Sequence, residues 1–207
     1  MTANSALTDA PLASASVEQL FERAGAIRDG HFLLKSGRHA GRYLEKFLVL
    51  QHPSVGAELC RRLAEALAPH EPTMVVGPTT GGVLLAFETA RQMEPILARP
   101  LRAAFAEPAA AGAGRALRRG WEVAADERVV LVDDILTTGA SLVETADAVR
   151  ASGVEPVAAA VIADRSTAPI ELGFPLSFLG RIEIGSWPPD ACEPCASGVP
   201  LTKPGSS

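Results

Sequence analysis

The stretch Val129 to Ser141, VVLVDDILTTGAS, constrains this chain more than any other feature. Val129 to Val132 is continuously apolar, as a strand buried on both faces of a parallel sheet must be. Two adjacent acids, Asp133 and Asp134, arrive at the C-terminal end of that strand. A short turn with Thr137, Thr138, Gly139 and Ser141 leads into a helix expected over Gly139 to Ala151, with Gly153 as its stop. Open α/β sheets bind ligands at the carboxyl ends of their strands, so this is where a site belongs. Hydroxyls, exposed backbone N–H groups and a positive helix end together suit a phosphate, and Gly139 lets the backbone come close. The two acids cannot serve that phosphate. They can accept hydrogen bonds from sugar hydroxyls, and they favour a nearby cation or a positively charged transition state.

A Walker B strand also ends in acids, but it needs a Gly-Lys-Ser/Thr loop elsewhere. The lysines are Lys35, Lys46 and Lys203, and none follows a glycine, so the nucleotide-triphosphatase reading is excluded. Around the central stretch, apolar spacing predicts helices over Val17 to Ile27 (with Ser16 as N-cap), Ser54 to Leu67 and Val83 to Met93. Strands are expected at Met74 to Gly77, Arg102 to Ala106 and Val157 to Ala163. Glu107 to Gly120, EPAAAGAGRALRRG, has no apolar period and reads as a long flexible loop. The tail from Pro188 is turn-rich. Alternating strands and helices imply an α/β fold, a doubly wound, mainly parallel sheet of about five strands.

Composition narrows the function classes. A 207-residue chain is long enough for one ordinary domain, expected over residues 16–207 after a disordered leader at 1–15. The 47% hydrophobic but only 5% aromatic content predicts an aliphatic core. Nineteen basic residues against 24 acids give a net charge of −5, with no basic face for nucleic acid. No apolar run approaches the roughly 18 residues of a membrane span, and the three cysteines suggest no disulfide framework, so a cytoplasmic location is expected. Cys192-x-x-Cys195 has the spacing of half a zinc site, but with no second pair and no histidine near it in sequence no zinc is expected. His31, His39, His52 and His70 show no ligand spacing, and His39 reads as structural.

The string from Val129 to Ser141 resembles the phosphoribosyl pyrophosphate (PRPP) loop of type I phosphoribosyltransferases. Further segments resemble the orotate-using branch of that family, in the family's order. They are GHFLLKSGRHAGRY (Gly30 to Tyr43), VVGPTTGGVLLAFETARQ (Val75 to Gln92), FAE with LRRGWEV (Phe105 to Val123), VIADRS (Val161 to Ser166) and CEPCASGVPLTKPGS near the end. The resemblance implies that Asp133 and Asp134 hold the ribose hydroxyls, while Ile135, Leu136, Thr137, Thr138, Gly139, Ala140 and Ser141 form the loop around the 5′-phosphate. It makes Thr79, Thr80, Gly81 and Gly82 the pyrophosphate loop, and it puts Arg165, Thr137 and Lys35 near orotate. A guanidinium fork matches a carboxylate bidentately, which suits Arg165; the bland alternative is a surface ion pair with Asp164 or a neighbour.

The implied reaction is displacement at the ribose anomeric carbon, with Mg²⁺ carried mainly on substrate oxygens. The implied architecture adds a small hood from the N- and C-terminal segments and a homodimer whose 107–120 loop reaches the neighbouring subunit's site. Two departures stand out. Pro108 follows Phe-Ala-Glu where members carry a basic residue, and the loop has no lysine, which leaves Arg115 as the candidate catalytic cation because Arg118 and Arg119 match the strand after the loop. Ala40 stands where a serine is commoner. Two other readings stay open: transfer to a different base, and a PRPP-binding regulator without catalysis.

Overall fold

In the computed structural model, which describes residues 11–34, 36–110 and 112–203, the apolar run at 129–132 is the first half of a strand buried on both sides. In chain order the helices are α1 (Val17–Arg23), α2 (Lys46–Leu50), α3 (Pro53–Leu67), α4 (Gly81–Leu97), α5 (Ala140–Arg150) and α6 (Glu193–Ala196). The strands are β1 (Ile27–Leu33), β2 (His39–Leu44), β3 (Met74–Pro78), β4 (Arg102–Pro108), β5 (Arg115–Leu117), β6 (Val129–Leu136), β7 (Ala158–Asp164), β8 (Leu176–Arg181) and β9 (Ser186–Trp187). The chain divides into two units, Leu50–Arg181 and a second one built from Met1–Val49 with Ile182–Ser207.

The larger unit holds a six-stranded sheet in the order β5-β4-β3-β6-β7-β8. Five strands run parallel, and β5 is an antiparallel edge strand paired to β4. On one face, alternate residues of three central strands (Met74 and Val76, Val129 and Leu131, Ala159 and Val161) pack with Leu142, Ala146 and Val149 of α5. Each large aliphatic side chain buried there stabilises the fold by roughly 1.5–3 kcal/mol. Their strand neighbours Val75, Val130, Val132, Ala160 and Ile162 are buried too and point the other way, and α3 and α4 pack against the same strands. The core is aliphatic, as the scarcity of aromatic residues predicts.

The parallel sheet of about five strands is therefore present, with one strand more than expected. That extra strand corrects the reading of 107–120 as structureless. β4 runs on to Pro108, and Ala106, Glu107 and Pro108 pair with Leu117, Ala116 and Arg115. Glu107 and Arg119 close the hairpin with two hydrogen bonds of 2.8 and 2.9 Å. At its tip Ala109 N–H donates to the Gly114 carbonyl at 3.0 Å, and Gly112 and Gly114 supply positive φ. Composition hid this hairpin because short alanine-rich strands carry no apolar period.

The smaller unit contains a three-stranded antiparallel sheet, β1-β2-β9, which gave no clear signal in sequence. Its helix α1 starts as expected: Ser16 Oγ accepts from Gln19 N–H and Gln19 Oε1 accepts from Ser16 N–H, a reciprocal cap. The helix stops at Arg23 rather than Ile27, because Ile27 already begins β1. The C-terminal tail joins the sheet beside β1, where Thr202 N–H donates to His31 O and Leu33 N–H to Thr202 O, both at 2.8 Å. The N- and C-terminal segments expected to form the hood thus build one unit together. The expected leader falls largely on residues 1–10, outside the described residues, and Leu12–Ser14 is a 3₁₀ turn.

Candidate active site

Strand β6 continues through its acids to Leu136, so Asp133 and Asp134 are strand residues, only 5% and 2% exposed. Strand alternation sends the two carboxylates to opposite faces. Asp133 Oδ2 accepts from Ser141 Oγ at 2.5 Å, which ties it to the first turn of α5, and its Oδ1 accepts from Asp134 N–H at 2.8 Å. Asp134 Oδ1 accepts from Ile135 N–H at 2.8 Å. Its other oxygen lies so close to Gly81 that a Cβ there would collide with it, so a side chain at the start of α4 would have to displace the carboxylate. Each acid is therefore held against the N-terminal end of a different helix, where the helix dipole favours negative charge.

Between these acids and α5 runs the turn. Thr137 and Thr138 are exposed, and Gly139 is buried with φ +76°. A Cβ at Gly139 would stand 2.7 Å from Ile170 Cγ2, so both backbone conformation and space exclude other residues. The exposed hydroxyls and the N-terminus of the 11-residue α5 leave a donor-rich surface suited to a phosphate. Ile135 is half-buried, and Leu136 packs in the core.

A second turn, Thr79 to Gly82, joins β3 to α4. Its Thr79–Thr80 peptide is cis, and a side chain at Gly77 would run into the backbone of Gly82. Arg115 reaches this turn from β5. Its Nη1 donates to Thr79 O and Thr79 Oγ1 at 3.3 Å and to Ala106 O at 3.2 Å, and Nε lies 3.4 Å from Glu144 Oε2. With a side chain only 15% exposed, Arg115 is docked rather than swinging on an open loop.

At the next strand end, Asp164 accepts from Ser166 N–H at 2.8 Å and from Arg181 at 2.6 and 3.2 Å. Burial pushes the Asp164 carboxyl up, but the Ser166 and Arg181 hydrogen bonds outweigh this and hold it below its usual range. Its ion pair is thus with Arg181 of β8, not with Arg165. Arg165 follows β7 directly, and its backbone N–H donates to Leu136 O at 2.8 Å, which anchors it beside the end of β6. A cavity of about 450 Å³ lies at this same edge, lined among others by Leu136, Asp164, Ile170, Phe178 and Arg181. Ile170 and Arg181 had no sequence signal, because each acts only through a contact with a distant residue. Lys35 lies outside the described residues.

The acids form no metal cage. Among the described residues, the one group of three or more His, Cys, Asp or Glu side chains arranged to hold an ion is elsewhere, in the smaller unit: His31, His39, Cys192 and Cys195. This corrects the expectation that Cys192-x-x-Cys195 has no histidine partners. The β1–β2 hairpin and the returning tail bring them together, which sequence spacing alone does not reveal.

A family model for the phosphoribosyl transferase domain matches residues 49–187. The orotate phosphoribosyltransferase of Pelotomaculum thermopropionicum is 41% identical over 187 residues, covering 90% of this chain and 94% of that protein. That of Caldicellulosiruptor saccharolyticus is 39% identical over 188 residues, covering 91% and 94%. Among solved structures, Mycobacterium tuberculosis orotate phosphoribosyltransferase in complex with PRPP superposes with a TM-score of 0.63 at 26% identity, covering 83% of this chain and 96% of that one.

Proposed function

The chain belongs to the phosphoribosyl transferase family, and we propose that it acts there as an orotate phosphoribosyltransferase, converting PRPP and orotate to orotidine 5′-phosphate and pyrophosphate. The observation that carries this reading is the paired placement of Asp133 and Asp134, each fixed at a helix start, beside the donor-rich turn Thr137 to Ser141.

In this reading the 5′-phosphate sits on the Thr137–Ser141 turn and the N-terminus of α5, which anchors the sugar away from the reacting carbon. The carboxylates of Asp133 and Asp134 accept the ribose hydroxyls. Their negative charge also stabilises the oxocarbenium-like ring as the bond to pyrophosphate breaks and a ring nitrogen of orotate forms the new bond to the anomeric carbon. Pyrophosphate leaves toward the Thr79–Gly82 turn, where the Arg115 guanidinium stands ready to meet the charge that builds. Arg165, with Thr137, fixes the orotate carboxylate and ring. The donor set suits Mg²⁺ carried on substrate oxygens, since the acids at β6 form no cage of their own and Mg²⁺ keeps waters and phosphates as ligands. When bound, Mg²⁺ neutralises charge on the pyrophosphate.

A homodimer belongs to the same reading and would cover Leu84 and Phe87, which α4 leaves exposed. The tip of the β4–β5 hairpin, rather than Arg115, would then reach the neighbouring site, because Arg115 is engaged with Thr79 of its own chain. No described helix is long and apolar enough to cross a membrane, and we place the enzyme in the cytoplasm. The test is consumption of orotate with PRPP and Mg²⁺, run beside uracil, hypoxanthine and adenine. Turnover of orotate alone supports the assignment. Turnover of another base moves the substrate, and PRPP binding without turnover of any base replaces the enzyme with a regulator.

A further inference from the structure

The four side chains His31, His39, Cys192 and Cys195 take no part in the reaction above, and their ligand atoms all lie within 4.8 Å of one another. His31 sits on β1, His39 opens β2, and the two cysteines flank the start of α6 in the tail. Three of the four are buried, and no disulfide joins the cysteines.

We propose that these residues form a structural zinc site, with ligands His31 Nε2, His39 Nδ1, Cys192 Sγ and Cys195 Sγ. Tetrahedral zinc, with Zn–N near 2.0–2.1 Å and Zn–S near 2.3 Å, sets its ligand atoms about 3.3–3.8 Å apart. Of the six separations, four are 3.2 Å between the two ring nitrogens, 3.2 and 3.7 Å from His31 Nε2 to the two sulfurs, and 3.3 Å from His39 Nδ1 to Cys195 Sγ, and the other two are within 4.8 Å.

The hydrogen bonding of His31 points the same way. His31 Nδ1 is 2.8 Å from the Val199 carbonyl, which can only accept, so Nδ1 carries the hydrogen. The ring nitrogen left to act as a metal ligand is then Nε2. Three polar atoms crowd that nitrogen at hydrogen-bond range, more than it can serve. One cation at the centre satisfies all four ligand atoms together. The Val199 carbonyl is then the outer partner that orients a ligating imidazole.

Two thiolates and two imidazoles select zinc over magnesium or calcium, which take oxygen ligands. Four protein ligands leave no open position, so the site holds structure and does no chemistry. Zn²⁺ displaces one proton from each cysteine and forms a neutral centre, which suits a largely buried location. Its role is to fasten the tail to the β1–β2 hairpin, next to the hydrogen bonds between Thr202 and the backbone of β1. The segment between the two histidines also carries Lys35, so the metal would hold both ends of a stretch assigned to orotate. That clause alone rests on the proposed function; the metal site does not.

The whole protein, purified without chelator, should contain about one zinc per chain by elemental analysis. A strong chelator should remove it and lower Tm by roughly 10 °C, the scale of a tight ligand lost from the folded state. Replacement with Co²⁺ should give the visible ligand-field bands of a tetrahedral site and a thiolate charge-transfer band. Cys195→Ser, at the most exposed ligand, should weaken zinc binding by more than about tenfold, while Cys60→Ala leaves the stoichiometry unchanged. The proposal is overturned if protein refolded with zinc holds no more metal than the Cys192→Ala/Cys195→Ala double variant. It is also overturned if both thiols react as free surface thiols whether or not chelator is present. The Co²⁺ spectrum of the wild type decides the matter even if ligand variants fold poorly, and none of these readouts depends on orotate turnover.

Discussion

The end of β6 and the small β1-β2-β9 sheet are held together in opposite ways. At β6 the strand, both acids, the phosphate turn and the helix start come from one short run of chain, and the key hydrogen bond spans eight residues, from Ser141 to Asp133. In the small sheet the decisive contacts join residues more than 150 positions apart: His31 to Val199 and Cys192, and His39 to Cys195. A local site is pre-organised as soon as its strand and helix form. A site closed over such distances bears a loop-closure cost that its own contacts, or a metal, must offset. Substitutions at the local site should therefore damage chemistry and spare stability, and damage to the distant one should do the reverse.

The most severe test of that contrast is Asp134→Asn. Asparagine Oδ1 can still accept from Ile135 N–H, and the amide is the same size beside Gly81, so the fold should melt within a few degrees of wild type. Loss of the charge should lower kcat by at least about a hundredfold, the scale of one preorganised electrostatic group. A folded variant with wild-type kcat would remove the acidic pair from the mechanism.

Arg115→Ala comes next, with an expected fall in kcat of roughly ten- to a thousandfold and little change in PRPP affinity. Arginine stays charged at any working pH, so its effect should not follow a titration. Because Arg115 also bonds Thr79 and Ala106, the loss could be structural, and Arg119→Ala separates the two. Arg119 bridges Glu107 on the same hairpin without approaching Thr79, so its variant should loosen the hairpin yet retain turnover. Equal losses in both would make the hairpin, not the Arg115 charge, the working part.

Arg165→Ala should raise the KM for orotate by about ten- to a hundredfold, as when one partner of a carboxylate pair is removed, and affect PRPP much less. Equal damage to both substrates would mean that Arg165 serves mainly to join the ends of β6 and β7, through its contact with Leu136.

The same contrast explains what could be read in the sequence. The strand at 129–132, its acids, the Gly139 turn and helices α3, α4 and α5 were legible because each is written in neighbouring residues: an apolar run, a 3.6-residue stripe, a glycine with φ +76°. β1, β2, β8 and β9 were not, since their stability comes from pairing with distant strands. β8 reads LSFLGR, half polar and half exposed, with no alternation to mark it. The histidine–cysteine cluster was misjudged for the same reason, because His31 and His39, eight positions apart, come into contact only once β1 and β2 pair. Arg115 could be named from the resemblance by elimination, but its docking on Thr79 depends on a hairpin with no hydrophobic signature.

The smallest expected effect is a control at a purely local interaction away from either site. Glu58 on α3 is held by Arg61 and Arg62 at spacings of three and four residues. The Arg61 hydrogen bond leads in lowering its carboxyl from 4.5 to about 2, against a burial that alone would raise it. A depressed carboxylate contributes stability above its unfolded value and loses it as pH falls toward its folded value. Glu58→Gln should therefore cost about 1 kcal/mol near neutral pH, well under the full shift because Arg61 remains partly in solvent. That corresponds to a Tm lower by roughly 2–4 °C. Between pH 4.5 and about 2 the wild type should lose this margin, and the two melting curves should converge. Zinc content and kcat should not change, because α3 supplies neither the candidate ligands nor any group assigned to PRPP. A Tm difference that persists undiminished at pH 2 would show that Glu58 acts by packing rather than charge. A change in zinc content would show that the local and distant regions are coupled through α3.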